Sequence, residues 1–165
     1  MTKIGLLSDT HGYLDPKIFH HFKNVDEIWH AGDIGSLDVL DQLRNFKPLR
    51  IVYGNIDDTK MRTETNETEI FHVEKMKILM THIAGRPGRY AKNIPELIAK
   101  ERPAIFVCGH SHILLVQNDT LNQMLWLNPG ACGIKGFHSV RTLLRFSIDS
   151  DKIINMEAIE LGKRV

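Results

Sequence analysis

An α/β fold is predicted by three features of this 165-residue chain. Over residues 3–53, short apolar runs alternate with stretches of helical spacing, the pattern of parallel strands joined by helices. From residue 70 onward most apolar runs come in close pairs, as antiparallel hairpins do. The leading apolar runs each stop at a small cluster of Asp, Asn, His and Gly.

The elements follow in order. KIGLLS, residues 3–8, reads as a buried strand ending at Asp9. Pro16 opens a helix to about Phe22, because proline is tolerated in a first turn. VDEIWH, 25–30, is a second strand that stops near Gly32-Asp33. Ser36 is the N-cap of a helix whose Leu37, Leu40 and Leu43 repeat at helical spacing. LRIVY, 49–53, is a third strand ending at Gly54-Asn55. DTKMRTETNET reads as a polar interruption. IFHV and KILM form a hairpin around Glu74-Lys75, and AGRPGR is a loop. Residues 94–101 form a helix stopped by Pro103. AIFVC is a strand, ILLVQ and MLWLN a hairpin around Asn118-Asp119, and TLLRFSI with KIINMEAIE a last antiparallel pair. With no repeat or linker, residues 1–165 read as one domain, α/β first and mostly β afterwards.

Composition narrows the function. Apolar residues make up 42% and charged residues 25%, with a formal charge of +1, which argues against nucleic acid as a standing partner. No apolar run approaches the about 20 residues of a membrane helix, and Asp9 comes too early for a signal peptide, so the cytoplasm is expected. Two cysteines, Cys108 and Cys132, read as reduced. The first is a small core thiol, and nothing marks the second as a nucleophile.

The strand-end clusters carry the chemistry. In an open parallel sheet the C-terminal strand ends share an edge where ligands bind. Five runs ending in Asp9 and His11, Asp33, Asn55, His82, and His110 with His112 therefore converge. Four imidazoles, two carboxylates and an amide suit zinc, iron, manganese or nickel, whereas calcium takes oxygen alone. Seven side chains exceed one tetrahedral ion and suit two ions, with Asp33 on the middle strand as the bridge. A lone Asp at a strand end is usually a cap or turn residue, and His20, His21, His30 and His72 read as surface or satisfied core residues. His138, close to Gly136, is a candidate neighbour of the site, with an incidental role the preferred reading. A metallo-β-lactamase pattern fails because Leu114 stands where His-x-His-x-Asp needs its acid, and no P-loop or nucleophile elbow occurs.

Asp9-x-His11, Gly32-Asp33, Gly54-Asn55-x-Asp57, Thr81-His82 and Gly109-His110-x-His112, in this order, resemble the calcineurin-like metallophosphoesterases, and the small size and Asn128-Pro129-Gly130 resemble their compact bacterial and archaeal phosphodiesterases. The resemblance implies a four-layer α/β/β/α sandwich of two mixed β-sheets flanked by helices. It implies one divalent ion on Asp9, His11, Asp33 and His112, and a second on Asp33, Asn55, His82 and His110. Manganese is the expected metal, with zinc, nickel or iron as alternatives. Asp33 and Asn55 are the expected catalytic residues, and a small phosphodiester, attacked by hydroxide activated between the ions, the expected substrate. A homodimer or higher homo-oligomer is also implied. Many family members read Gly-Asn-His-Asp, with the histidine assisting the leaving group, but here that position is Ile56, which has no proton to donate. Diester cleavage with good leaving groups, and weak action on monoesters, is therefore expected. Arg86 and Arg89, just after His82, are candidates for phosphate contact, with solvated loop charges the plainer reading, and Asp57 is expected to orient its neighbours.

Two other functions fit the same fold. A eukaryotic retromer subunit resembles it and serves as a scaffold, a role that predicts lost ligands, and all seven positions are intact here. A metal-dependent nuclease fits the chemistry but calls for a basic groove that the sequence does not offer.

Overall fold

The computed structural model describes residues 1–164. Strand β1 (Thr2–Leu7) lies parallel to β2 (Glu27–His30), and β2 parallel to β3 (Leu49–Ile51). On its other side β1 pairs antiparallel with β11 (Val140–Asp149), which pairs with β12 (Lys152–Lys163), giving the order β12-β11-β1-β2-β3. A second sheet has the order β4-β5-β8-β10-β9, built from Thr68–Val73, Met76–Thr81, Ile105–Val107, Met124–Pro129 and Leu114–Asp119. Its inner pairs β5·β8 and β8·β10 are parallel and its outer pairs antiparallel. Both sheets are mixed.

Period-2 alternation assigns each strand residue to a layer. Ile4, Leu6 and Trp29 of the first sheet meet Ile78, Met80, Ile105, Val107 and Leu127 of the second in one buried cluster between the sheets. Leu7 and Ile28 face the other way, into a cluster with Ile18 and Phe22 beside α1 (Pro16–His21) and with Leu40 and Leu43 of α2 (Leu37–Phe46). On the far side Leu79, Phe106 and Trp126 pack against Ile94 and Ile98 of α4 (Ile94–Glu101). The layers are therefore helix, sheet, sheet, helix, as the motif resemblance implies. Gly5 is glycine for want of room, since a Cβ there would lie 2.8 Å from the Phe22 ring.

Three sequence readings are corrected. The polar stretch after residue 57 contains a helix, α3 (Thr59–Glu64), capped by Asp58, which accepts from Met61 N, and Met61 is buried. One apolar residue per turn shows no periodicity in so short a segment. The β9–β10 hairpin turns at residues 120–123, beyond Asn118-Asp119, where Asp119 closes the turn by accepting from Asn122. The loop AGRPGR folds into a small hairpin of β6 (Gly85–Arg86) and β7 (Arg89–Tyr90).

The start of α1 is tied to the first sheet by charge. Asp15 accepts from Lys17 N and pairs with the Arg141 guanidinium, and the two residues are 5% and 8% exposed. Burial alone would raise the Asp15 carboxyl, but the Lys17 N–H and the Arg141 guanidinium hold it below its ordinary 3.8. Its folded pKa is depressed, so the stabilisation is complete above the unfolded value of 3.8 and is lost as pH falls from there through the folded pKa. Asp15→Asn leaves a buried cation unpaired and is expected to cost about 3 kcal/mol in urea unfolding at pH 7. The gap between variant and parent should shrink below about pH 3.8.

Candidate metal centre

Each candidate side chain leaves the C-terminal end of a strand. Asp9 and His11 follow β1, Asp33 follows β2, Asn55 follows β3, His82 follows β5, and His110 and His112 follow β8. Because β5 and β8 belong to the second sheet, the site forms where two sheets end together, and the single-sheet edge inferred from sequence is replaced by the end of the sandwich.

Two triads result. The ligand atoms of Asp9, His11 and His112 lie within 4.8 Å of one another, as do those of Asp33, His82 and His110. Asp33 stands between them, with Oδ2 3.5 Å from His11 Nε2 and Oδ1 3.2 Å from His82 Nε2. Asp9 Oδ1 lies 3.1 Å from His112 Nε2 and 3.7 Å from His11 Nε2. Asn55 is exposed and lines a cleft of about 210 Å³ beside His82, with Tyr53 and Arg62. Six of the seven candidates thus share one cluster, and Asn55 borders it.

Backbone geometry aims these groups. Asp9, His11, Asp33, His110 and His112 all have positive φ, between 48° and 69°. Such conformations cost about 1–3 kcal/mol each outside glycine, less for Asp and His, and collect at functional sites. The surrounding loops are pinned by Asp57, which is 4% exposed and accepts from the N–H groups of Ile34, Gly35 and Gly54. It fastens the loop after β2 to the loop after β3, the orienting role expected of it.

Hydrogen bonds set the imidazole tautomers. His82 Nδ1 lies 2.7 Å from the Ala31 carbonyl and must donate to it, so in the neutral ring, the form that binds a metal, Nε2 presents its lone pair to Asp33. His138 Nε2 donates to the Gly133 carbonyl at 2.9 Å, so its Nδ1 accepts from His112 Nδ1–H at 3.1 Å, and His112 Nε2 is likewise bare. Metal-binding histidines are oriented in this way. The incidental reading of His138 is thereby corrected. Its contact depends on the chain between β10 and β11 folding back, and Gly136 permits it: φ there is 129°, and a Cβ would lie 2.2 Å from His112 Nδ1. His30 is a satisfied core residue, accepting from Gly32 N and bonded to Thr10 Oγ1, and burial holds its pKa down at about 4. Both cysteines are buried, and burial pushes the Cys132 thiol up to about 12 and raises that of Cys108 as well, so neither is a nucleophile.

The electrostatics ask for a cation. Burial pushes the Asp9 carboxyl up, but His11, His112 and His82 more than reverse this and hold it well below the carboxylate range. For His82 burial lowers the pKa, and Asp33 and Asp9 raise it above the ordinary value. Ser8 Oγ and His110 N satisfy Asp9 Oδ2, at 2.6 and 3.2 Å, whereas Asp9 Oδ1, His11 Nε2 and His82 Nε2 are buried without hydrogen-bond partners. Unpaired buried polar atoms are rare and costly. Divalent cations of the borderline class fit this donor set, and each triad is a candidate site for one.

Gly54 makes the close packing testable. A Cβ there would lie 2.0 Å from Asp33 Oδ1 and 2.4 Å from Asp33 N. Gly54→Ala should therefore cost about 3 kcal/mol in urea unfolding, the upper range for overpacking, because backbone cannot give way as a flexible side chain can.

Comparison with known proteins agrees with this geometry. The model of the calcineurin-like phosphoesterase superfamily domain matches residues 2–151. A probable metallophosphoesterase of Methanothermobacter thermautotrophicus is 28% identical over 167 residues, covering 98% of this chain and 94% of that protein. A phosphodiesterase of Methanocaldococcus jannaschii is 27% identical over 147 residues, covering 79% and 84%. Vps29 of Chaetomium thermophilum shares the fold with a TM-score of 0.78 at 14% identity, over 98% of this chain and 97% of that one. The match to the family runs through every strand-end cluster described above, and the chain belongs to the calcineurin-like phosphoesterase superfamily.

Proposed function

We propose that this protein is a metal-dependent phosphodiesterase that uses two divalent ions. The observation that carries the reading is Asp33, whose two oxygens face different triads, among three buried donor atoms that lack partners. The superfamily's metal-dependent chemistry and the name of the M. jannaschii relative support it.

Asp9, His11, Asp33 and His112 would hold one ion, and Asp33, Asn55, His82 and His110 the other. Bound there, divalent ions supply Lewis acidity toward phosphoryl oxygens and lower the pKa of water toward neutrality. Manganese leads among the candidates, with zinc, nickel and iron admitted by the same donors. The carbonyl of Ala31 and the imidazole of His138 keep His82 and His112 in the ligating tautomer. Asn55, which lines the cleft beside His82, would offer its amide N–H to a phosphoryl oxygen as charge builds. Its neighbour Ile56 gives its backbone N–H to Asp33 Oδ1 at 3.1 Å but no side-chain proton to a departing alkoxide. Diesters with acidic leaving groups are therefore the favoured substrates. The complete donor set argues against a pure scaffold.

Bis(p-nitrophenyl) phosphate should be cleaved with Mn²⁺ or Ni²⁺ present, and Asp33→Ala should lower kcat by at least about 10³-fold. Activity that survives both chelation and this substitution would refute the reading. Ile56→His tests the missing acid: it should raise turnover of esters with alkoxide leaving groups by about 10-fold to 100-fold and barely change p-nitrophenolate release. An equal effect on both leaving groups would show that position 56 has no acid role to fill.

A further inference from the structure

A second cleft, of about 330 Å³, opens beside the metal centre between the β6–β7 hairpin and the β9–β10 face of the second sheet. It is continuous with the centre through the chain. Ser111, on its wall, lies between His110 and His112, and Gly85 and Arg86 belong to the loop that begins at His82. Its other walls are apolar: Ile113, 65% exposed, Leu115, and Trp126, whose indole N–H is buried without an acceptor among the described residues.

The hairpin over this cleft is a built element. Pro87 and Gly88, the latter at φ 82°, make a two-residue turn, and Tyr90 anchors it by donating to Asp119 and packing its ring toward Phe106. The register sets Arg86 directly opposite Arg89, and both line the cleft. Like charges facing each other across a ladder destabilise it. Among the described residues neither guanidinium has an ion-pair partner, which is true also of Arg50, Arg62, Arg102 and Arg164. No carboxylate lines the cleft.

We propose that this cleft is the subsite for one ester arm of the phosphodiester, an aromatic group bearing a further anionic substituent. The ring lies against Ile113 and Leu115, with Trp126 buried at the cleft's border, and the anion is read by the Arg86–Arg89 pair. The apolar walls supply the ring contact, and the uncompensated cations supply the charge complement. The assignment rests on the phosphodiesterase reading and adds the substrate class to it.

Three diesters with one common leaving group test it: methyl, phenyl and 4-carboxyphenyl p-nitrophenyl phosphate. With the leaving group constant, kcat/KM should rise about tenfold from methyl to phenyl and again by about tenfold to 4-carboxyphenyl. Ile113→Ser should shrink the first ratio, whereas Arg86→Gln with Arg89→Gln should abolish the second and its dependence on salt. Equal rates for all three diesters, or variants that leave both ratios intact, overturn the subsite. Binding of the same compounds, followed by NMR shifts of Ile113 and Trp126, separates the two readings. A protein that shifts these resonances but turns over no diester keeps the subsite and loses the hydrolase. An active protein with neither preference nor shifts keeps the hydrolase and loses the subsite. A protein that neither binds nor cleaves loses both.

Discussion

The burial of two carboxylates, Asp9 and Asp33, among imidazoles at one end of a sandwich is the constraint on which the rest of this structure depends. A charge withdrawn from water is costly unless it is paired and hydrogen-bonded. Asp9 meets half of that demand within the protein, through Ser8 and the His110 N–H on one oxygen, and its other oxygen is directed at the cluster. The His82 and His112 rings are held by their Nδ1 atoms so that Nε2 faces the acids, where the neutral ring offers a lone pair. With neutral rings the bare donors would repel one another, and a positive charge among them, an imidazole proton or a bound cation, relieves that repulsion.

The fold makes that arrangement possible by stacking two mixed sheets so that parallel strands from both end at the same side. Parallel strands leave their loops free to carry polar residues while the strands stay apolar on both faces, as the alternation of Ile4, Leu6 and Leu7 between two buried clusters shows. Helices cover the outer faces, which frees the loops from packing duties. Five left-handed residues then turn the chain back sharply enough to aim consecutive side chains inward. The tightness of Gly54 against Asp33 indicates how little slack remains.

The surroundings of the centre are unequal. One cleft is polar and walled by Asn55, Tyr53 and Arg62, and a larger, more apolar one is lined by Arg86 and Arg89. Arg62 enters the first through α3, where it stacks 4.8 Å over the Tyr53 ring and donates to the Asp57 carbonyl.

Most of the strands, α1, α2 and α4, and the convergence of Asp9, His11, Asp33, His82, His110 and His112 are legible in the sequence. Hydrophobic periodicity, Pro and Ser caps and strand-end clusters are local signals, each written within a few residues. What they do not carry is anything that depends on how distant segments pack. The helix around Met61 has a single buried residue to announce it. His138 reaches His112 across 26 positions of chain, and no spacing rule connects them. The ending of both sheets at one edge exists only once the two sheets are stacked. The sequence by itself determined which groups carry the chemistry, because residue type and local pattern suffice for that. The tertiary structure alone decided which groups orient them and what surrounds them, because those contacts are long-range and arise from packing.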